Sequence, residues 1–241
     1  MFKLLQVELY TLTKMKAFKL SVLGAIILSI LLNVQYITDK TPAFESFFNG
    51  VLVLNLIAVA IGGLIINNDY AQNTIRNKVV IGYSRTSIFV AKTLLILLYY
   101  IIIFVVAFIP SLYIHCFMLE TENVIWEAVW KGFALSGLNI VNNVAITILL
   151  GMSVKNVAGV VLPVFLAEAI PVSGMLILEV LSVSNAKKMF EFVQAIPNIE
   201  IMMLSPYTVP ANMGLSLIIT GVFTTFCLLL SWHVFNTAEL N

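Results

Sequence analysis

Apolar positions along this chain fall into long unbroken runs. Six runs hold about 20 mostly apolar residues each, the length that carries a helix across the hydrocarbon core of a bilayer. They lie at about 18–37, 48–68, 93–118, 132–152, 157–181 and 213–235. Membrane strands alternate apolar with polar positions, and these runs do not, so helices are predicted. Pro110, inside the third run, marks a place for a kink. The pattern predicts an all-α polytopic membrane protein with six transmembrane helices, forming a single transmembrane domain over residues 1–241.

Three intervals break the pattern. In the first, Phe2, Leu5, Leu9, Leu12 and Met15 recur at spacings of three and four, which is one helical face. Lys3, Glu8 and Lys14 lie off that stripe. Residues 1–19 are therefore predicted to form an amphipathic helix lying in the membrane interface. The second interval, 67–92, gathers Arg76, Lys78, Arg85 and Lys92 against one acid, Asp69. It reads either as a solvated loop or as a docking surface for a soluble partner. The third, 182–212, is too apolar for a free loop and is interrupted by Pro197, Pro206 and Pro210. It is predicted to fold back as a short re-entrant insertion over the outer mouth of the bundle, before the last helix.

Composition supports lipid as the solvent. The chain is 61% hydrophobic and 10% charged, with a mean hydropathy of +1.03. A soluble domain is about 45–50% apolar and about 25% charged. The net charge of +1 identifies no partner, and nucleic acid is not among those expected. The placement of the cations is more informative. With a cytoplasmic N-terminus, the inner segments hold nine of the 13: Lys3, Lys14, Lys16, Lys19, Arg76, Lys78, Arg85, Lys92 and Lys155. The outer segments hold the other four: Lys40, Lys131, Lys187 and Lys188. Both termini and the 67–92 interval are thus expected in the cytoplasm. The first residues spread their charges and offer no small-residue cleavage site, unlike a signal peptide.

The chemistry the chain could perform alone is narrow. It has no G-x-x-x-x-G-K-[ST], H-E-x-x-H or G-x-S-x-G. His115 and His233 fall near opposite membrane faces, and no metal site is expected. Cys116 and Cys227 sit in apolar runs and are expected to be small buried hydrophobes. Few ionisable groups lie within the spans, which disfavours an ion-coupled transporter. Glu168 and Glu179 share a face of the fifth run, and Glu168 is the deeper. It either lines a translocation path or is protonated or hydrogen-bonded to another span. Asn139 and Asn143 stand one helical turn apart in the fourth run, with Asn142 beside them. They either bond neighbouring helices or line the path. Gly62 and Gly63 permit close helix approach or bending.

The stretch "NTIRNKVVIGYSRTSIFVAK" resembles the loop after the second span in membrane subunits of type-2 ABC exporters, the ABC-2 permeases. Thr74, Ile75, Arg76, Asn77, Gly82, Ser84, Arg85 and Lys92 fit that pattern, with Asp69 the acid before it. Asn73 stands where the family often has glycine. The overall layout, an amphipathic start, six spans and an outer insertion before the last, is also similar. The resemblance implies that 67–92 is a cytoplasmic coupling loop docking on a separate ABC ATPase, which would carry ATP and Mg; no cofactor is expected on this chain. It implies a second permease subunit, in a homodimer or heterodimer, within lipid of a bacterial cytoplasmic membrane. It also implies that the chain is a transport subunit and not an enzyme. Small permeases with this loop resemble bacitracin-resistance and lantibiotic-immunity exporters, so the implied cargo is an antimicrobial peptide, a lantibiotic or another amphipathic compound. Arg76, Arg85 and Lys92 are expected to hold the partner or the membrane surface. The competing classes are a non-pumping immunity or sensor protein and a polytopic membrane enzyme. The enzyme would need a nucleophile or metal dyad within the spans, and none is found beyond Glu168.

Overall fold

In the computed structural model, residues 2–39, 43–117, 126–183, 187–200 and 212–238 are described. Among these, ten helices and no strands occur: α1 (Phe2–Lys14), α2 (Lys16–Asp39), α3 (Ala43–Ala71), α4 (Thr74–Val80), α5 (Arg85–Phe117), α6 (Trp126–Ser153), α7 (Ala158–Val183), α8 (Lys187–Gln194), α9 (Pro197–Glu200) and α10 (Met213–Thr237). Six of them, α2, α3, α5, α6, α7 and α10, are long and apolar enough to cross a membrane. They coincide with the six apolar runs. α5 continues through Pro110, the place marked for a kink.

α6 occupies the middle of the bundle and packs against α3, α5, α7 and α10. It is also where the polar residues of the spans collect. Asn139 Oδ1 accepts from Asn55 Nδ2 on α3 and, at 2.9 Å, from Asn143 Nδ2 on α6 itself. Thr224 on α10 donates to Asn142 Oδ1 at 3.3 Å, and the Tyr100 and Thr147 hydroxyls meet at 2.9 Å. Ser29 on α2 donates to the Ala107 carbonyl of α5 at 2.5 Å. Asn139, Asn142 and Asn143 are all buried. Asn139 and Asn142 thus bond to neighbouring helices, and Asn143 bonds to Asn139 within α6. Away from water, a buried amide finds its partner on a neighbouring helix or along its own.

Gly63 sits where α3 runs close to α7. A Cβ there would lie 3.0 Å from the Val160 Cα and 3.4 Å from the Gly159 carbonyl. Neighbouring Gly62 faces side chains instead, Thr147 and Tyr100. The pair serves close approach within one continuous helix.

The chain between α7 and α10 contains α8 and α9, and residues 184–186 and 201–211 of that interval lie outside the described ones. α8 packs on α7, and α9 on α6 and α7. Ala195 and Ile199 are buried there, and Ile199 fills the space in front of Gly174.

The outward faces of α2, α7 and α10 are apolar and exposed, as at Leu20, Leu31, Phe165, Leu176, Ile218 and Phe226. Lipid is the matching solvent for such surfaces.

Candidate functional site

The basic interval at 67–92 is helical over most of its length. α3 persists to Ala71, so Asp69 belongs to its last turn. The chain then reverses at Asn73, which adopts a left-handed conformation with φ of 53°. Asparagine is the residue other than glycine that tolerates this region, because its short side chain strains it little. Asparagine is therefore compatible with the backbone conformation of this turn. Replacing Asn73 with glycine should leave the thermal midpoint of the detergent-solubilised chain within a degree or so, whereas Asn73→Val should cost about 1–3 kcal/mol. Thr74 Oγ1 donates to the Asp69 carbonyl at 3.1 Å and closes the turn onto α4. A second reversal follows at Gly82, φ 104°, where an L side chain would be strained. Ser84 then caps α5: its hydroxyl accepts the Ser87 amide at 3.2 Å.

These turns fold α4 back beside α1, and four charged side chains converge beneath it. Glu8 comes from α1, Asp69 from α3, Lys78 from α4 and Lys92 from α5. The Lys92 ammonium lies 2.6 Å from Glu8 Oε2 and 2.5 Å from Asp69 Oδ2. Lys78 pairs with Glu8 Oε1 and stands 3.4 Å from Asp69 Oδ2. Each cation meets both acids, so the quartet is neutral and closed. Half of it is buried, with Lys92 1% exposed and Glu8 5%, while the Lys78 and Asp69 side chains are 16% and 15% exposed. A small cavity of about 80 Å³ adjoins it, lined in part by Thr11, Asn68 and Gln72.

Burial pulls the Lys78 ammonium down. The charge of Asp69 and the hydrogen bond and charge of Glu8 outweigh that, and its pKa stands above the ordinary 10.5. A raised lysine pKa adds stability that is complete below the unfolded value and vanishes as pH climbs through the folded one. The thermal midpoint should therefore show an alkaline decline starting above about pH 10.4. In Lys78→Met, the part of that decline due to this group should be missing.

The quartet revises two sequence expectations. Glu8 does not lie off the packed face of α1: it sits on it, between Leu4 and Leu12, both buried, while Val7 and Tyr10 are exposed. Lys92 does not reach a partner or the membrane surface, because both acids hold it in the interior. Ile75 is likewise buried and anchors α4 to the core. Arg85 is also engaged within the chain. Its Nη1 donates to the carbonyls of Asn236 at 2.7 Å, Ala238 at 2.8 Å and Phe235 at 3.3 Å, at the end of α10.

What α4 turns outward is different. Arg76 and Asn77 are exposed, and Val80 and Ile81 are 78% and 76% exposed. An apolar tip flanked by a cation stands on a short helix riveted from below. Of the predicted coupling residues, Arg76, Asn77, Gly82 and Ser84 lie at the surface. Asp69, Thr74, Ile75, Arg85 and Lys92 build the support. Sequence reasoning missed Glu8 and Lys78 as parts of the site. The available signal was an acid one turn from leucine on both sides, at Leu4 and Leu12, in a helix otherwise basic and apolar. Glu168 lies on α7, but its side chain falls outside the described residues. The other residues predicted for a path, Asn139 and Asn143, are buried on α6.

No curated protein matches the chain. A family model described as ABC-2 family transporter protein matches residues 4–172, which takes in most of α1, the quartet, α4 and four of the six long helices in full. With six membrane-crossing helices and a match over more than half its length, the chain belongs to the ABC-2 transporter family, as a multi-pass transport subunit that is not itself catalytic.

Proposed function

We propose that this subunit forms half of an ATP-driven export pore and takes its power stroke through the exposed tip of α4. Membership of the ABC-2 family implies an ABC ATPase partner. The observation that carries the docking proposal is the contrast across α4. Its inner side is held by Ile75 and the quartet, and its outer side offers Arg76, Val80 and Ile81 to solvent. Stably docked surfaces use buried apolar anchors ringed by polar groups, with cations setting register against acids on the partner. The quartet supports one further step. Because it binds α1, α3, α4 and α5 together, a push on α4 would move them as one piece. The stroke of two ATPases would then rock two such subunits, in a homodimer or a heterodimer, and open the path between them.

The cargo proposed is an amphipathic compound, with antimicrobial peptides and lantibiotics first. The support is the resemblance of the TIRN/SR loop to bacitracin-resistance and lantibiotic-immunity permeases, and the low charge of the spans. A bacterial cytoplasmic membrane with both termini inside fits the cation bias.

The test is co-purification with the ATPase co-expressed from the same genome. Val80→Asp combined with Ile81→Asp should weaken the complex about 100-fold or more, the loss expected when two central anchors are made charged. The same chain should keep its own thermal midpoint, since neither side chain is packed. Undiminished co-purification of the double variant would sink the α4 docking proposal.

A further inference from the structure

The quartet secures α1, α3, α4 and α5, and none of its members belongs to α10. α10 is tied to the same end of the bundle by Arg85, the first residue of α5. The last carbonyls of a helix lack intrahelical partners and carry the negative end of its dipole. Arg85 Nη1 donates to three carbonyls at this end, those of Phe235, Asn236 and Ala238. Phe235 is fully buried, and its ring lies 6.1 Å from that of Phe89, one turn along α5. The elbow between α4 and Arg85 is short and internally bonded. Ile81 donates to the Asn77 carbonyl, Gly82 to that of Val79 and Tyr83 to that of Lys78, at 3.0, 3.0 and 3.1 Å. Beyond Arg85, α10 is bonded to α6 by Thr224 and Ser231, the latter donating to the Ile148 carbonyl at 3.3 Å.

We infer that Arg85 is a positioning residue that ties the α4–α5 elbow to the last turn of α10, so that displacement of α4 reaches α10 and α6. The inference rests on the proposal that α4 receives the stroke. It differs from the sequence expectation, in which Arg85 held the partner or the membrane surface. Arginine suits the task because its planar fork spans several acceptors at once and keeps its charge at any relevant pH.

Two measurements decide it, one free of the partner. In the purified chain, Arg85→Ala should speed hydrogen exchange of the Ala238 amide, which donates to Val234 at 3.0 Å. The gain should be about tenfold or more, the scale of losing a hydrogen bond to a charged group. Amides of α4 should be unchanged, and Arg85→Lys should restore most of the protection, since an ammonium can still reach the carbonyls. Unchanged exchange at Ala238 overturns the inference whether or not an ATPase binds. The second measurement uses the complex in nanodiscs, with nitroxides on exposed His233 of α10 and Leu20 of α2, and Cys116 and Cys227 replaced. Trapping the ATPase with ATP and vanadate should change that distance in the parent chain. Arg85→Ala should keep co-purifying with the ATPase and lose the change. Loss of co-purification in Arg85→Ala would mark Arg85 as a partner contact and refute the link, as would a full distance change. If the parent chain itself binds no ATPase, the proposed function fails, and the exchange result still decides the role of Arg85.

Discussion

Replacing Lys92 with methionine is expected to destabilise the subunit by about 3–5 kcal/mol, the cost of breaking one side of a buried ion pair. Methionine matches the lysine stem, so the packing against α1 and α3 should survive, and the effect isolates the charge. Glu8 and Asp69 would be left with a single ammonium, that of Lys78, between them. Two carboxylates at one site with too little positive charge cannot both stay ionised at low cost. The quartet also predicts the rescue. Adding Glu8→Gln to Lys92→Met removes one charge of each sign and leaves Asp69 with Lys78, so the site is neutral again. Most of the lost stability should return. Thermal unfolding followed by size-exclusion in detergent gives the two single variants and the double. A double variant that falls by the sum of the singles would show that the four side chains do not act as one unit.

Gly63→Leu should be strongly damaging at the contact between α3 and α7. The obstruction is backbone: a Cβ would stand 3.0 Å from the Cα of Val160, which has no rotamer to change. α3 and α7 must then separate, and an overpacked helix contact costs about 1–3 kcal/mol, occasionally more. The remaining atoms of leucine enlarge the separation. Loss of monodisperse protein on purification is the expected outcome. Gly62→Leu should be milder, because the atoms in front of Gly62 belong to the side chains of Thr147, Tyr100 and Ile96. Gly221→Leu faces open space and should leave stability within about 0.5 kcal/mol. Equal damage at Gly221 and Gly63 would show that leucine itself, and not helix contact, is the cause.

Much of this architecture was legible because lipid imposes a plain rule. A spanning segment must satisfy its own backbone and be apolar along its whole length, so six runs became six helices. The two sharp reversals fall at Asn73 and Gly82, residue types that tolerate a positive φ. The 67–92 interval was harder, because helices continue from both spans into it and leave only short turns around α4. Its cations were counted together as a patch. They serve three different purposes: Lys78 and Lys92 neutralise Glu8 and Asp69, Arg85 holds the end of α10, and Arg76 alone of the four faces out beside Val80 and Ile81.

By itself, then, the sequence determined the solvent, the number and extent of the spans, and the family, because hydropathy and a short loop pattern are local properties. Which charges pair was left to the tertiary structure. Glu8 and Lys92 are 84 residues apart, and Arg85 and Asn236 are 151 apart. A charge in a linear pattern has a sign but no partner. Burial and partnership arise only when helices distant in the chain are packed side by side, and that packing separates the supporting cations from the one that is presented.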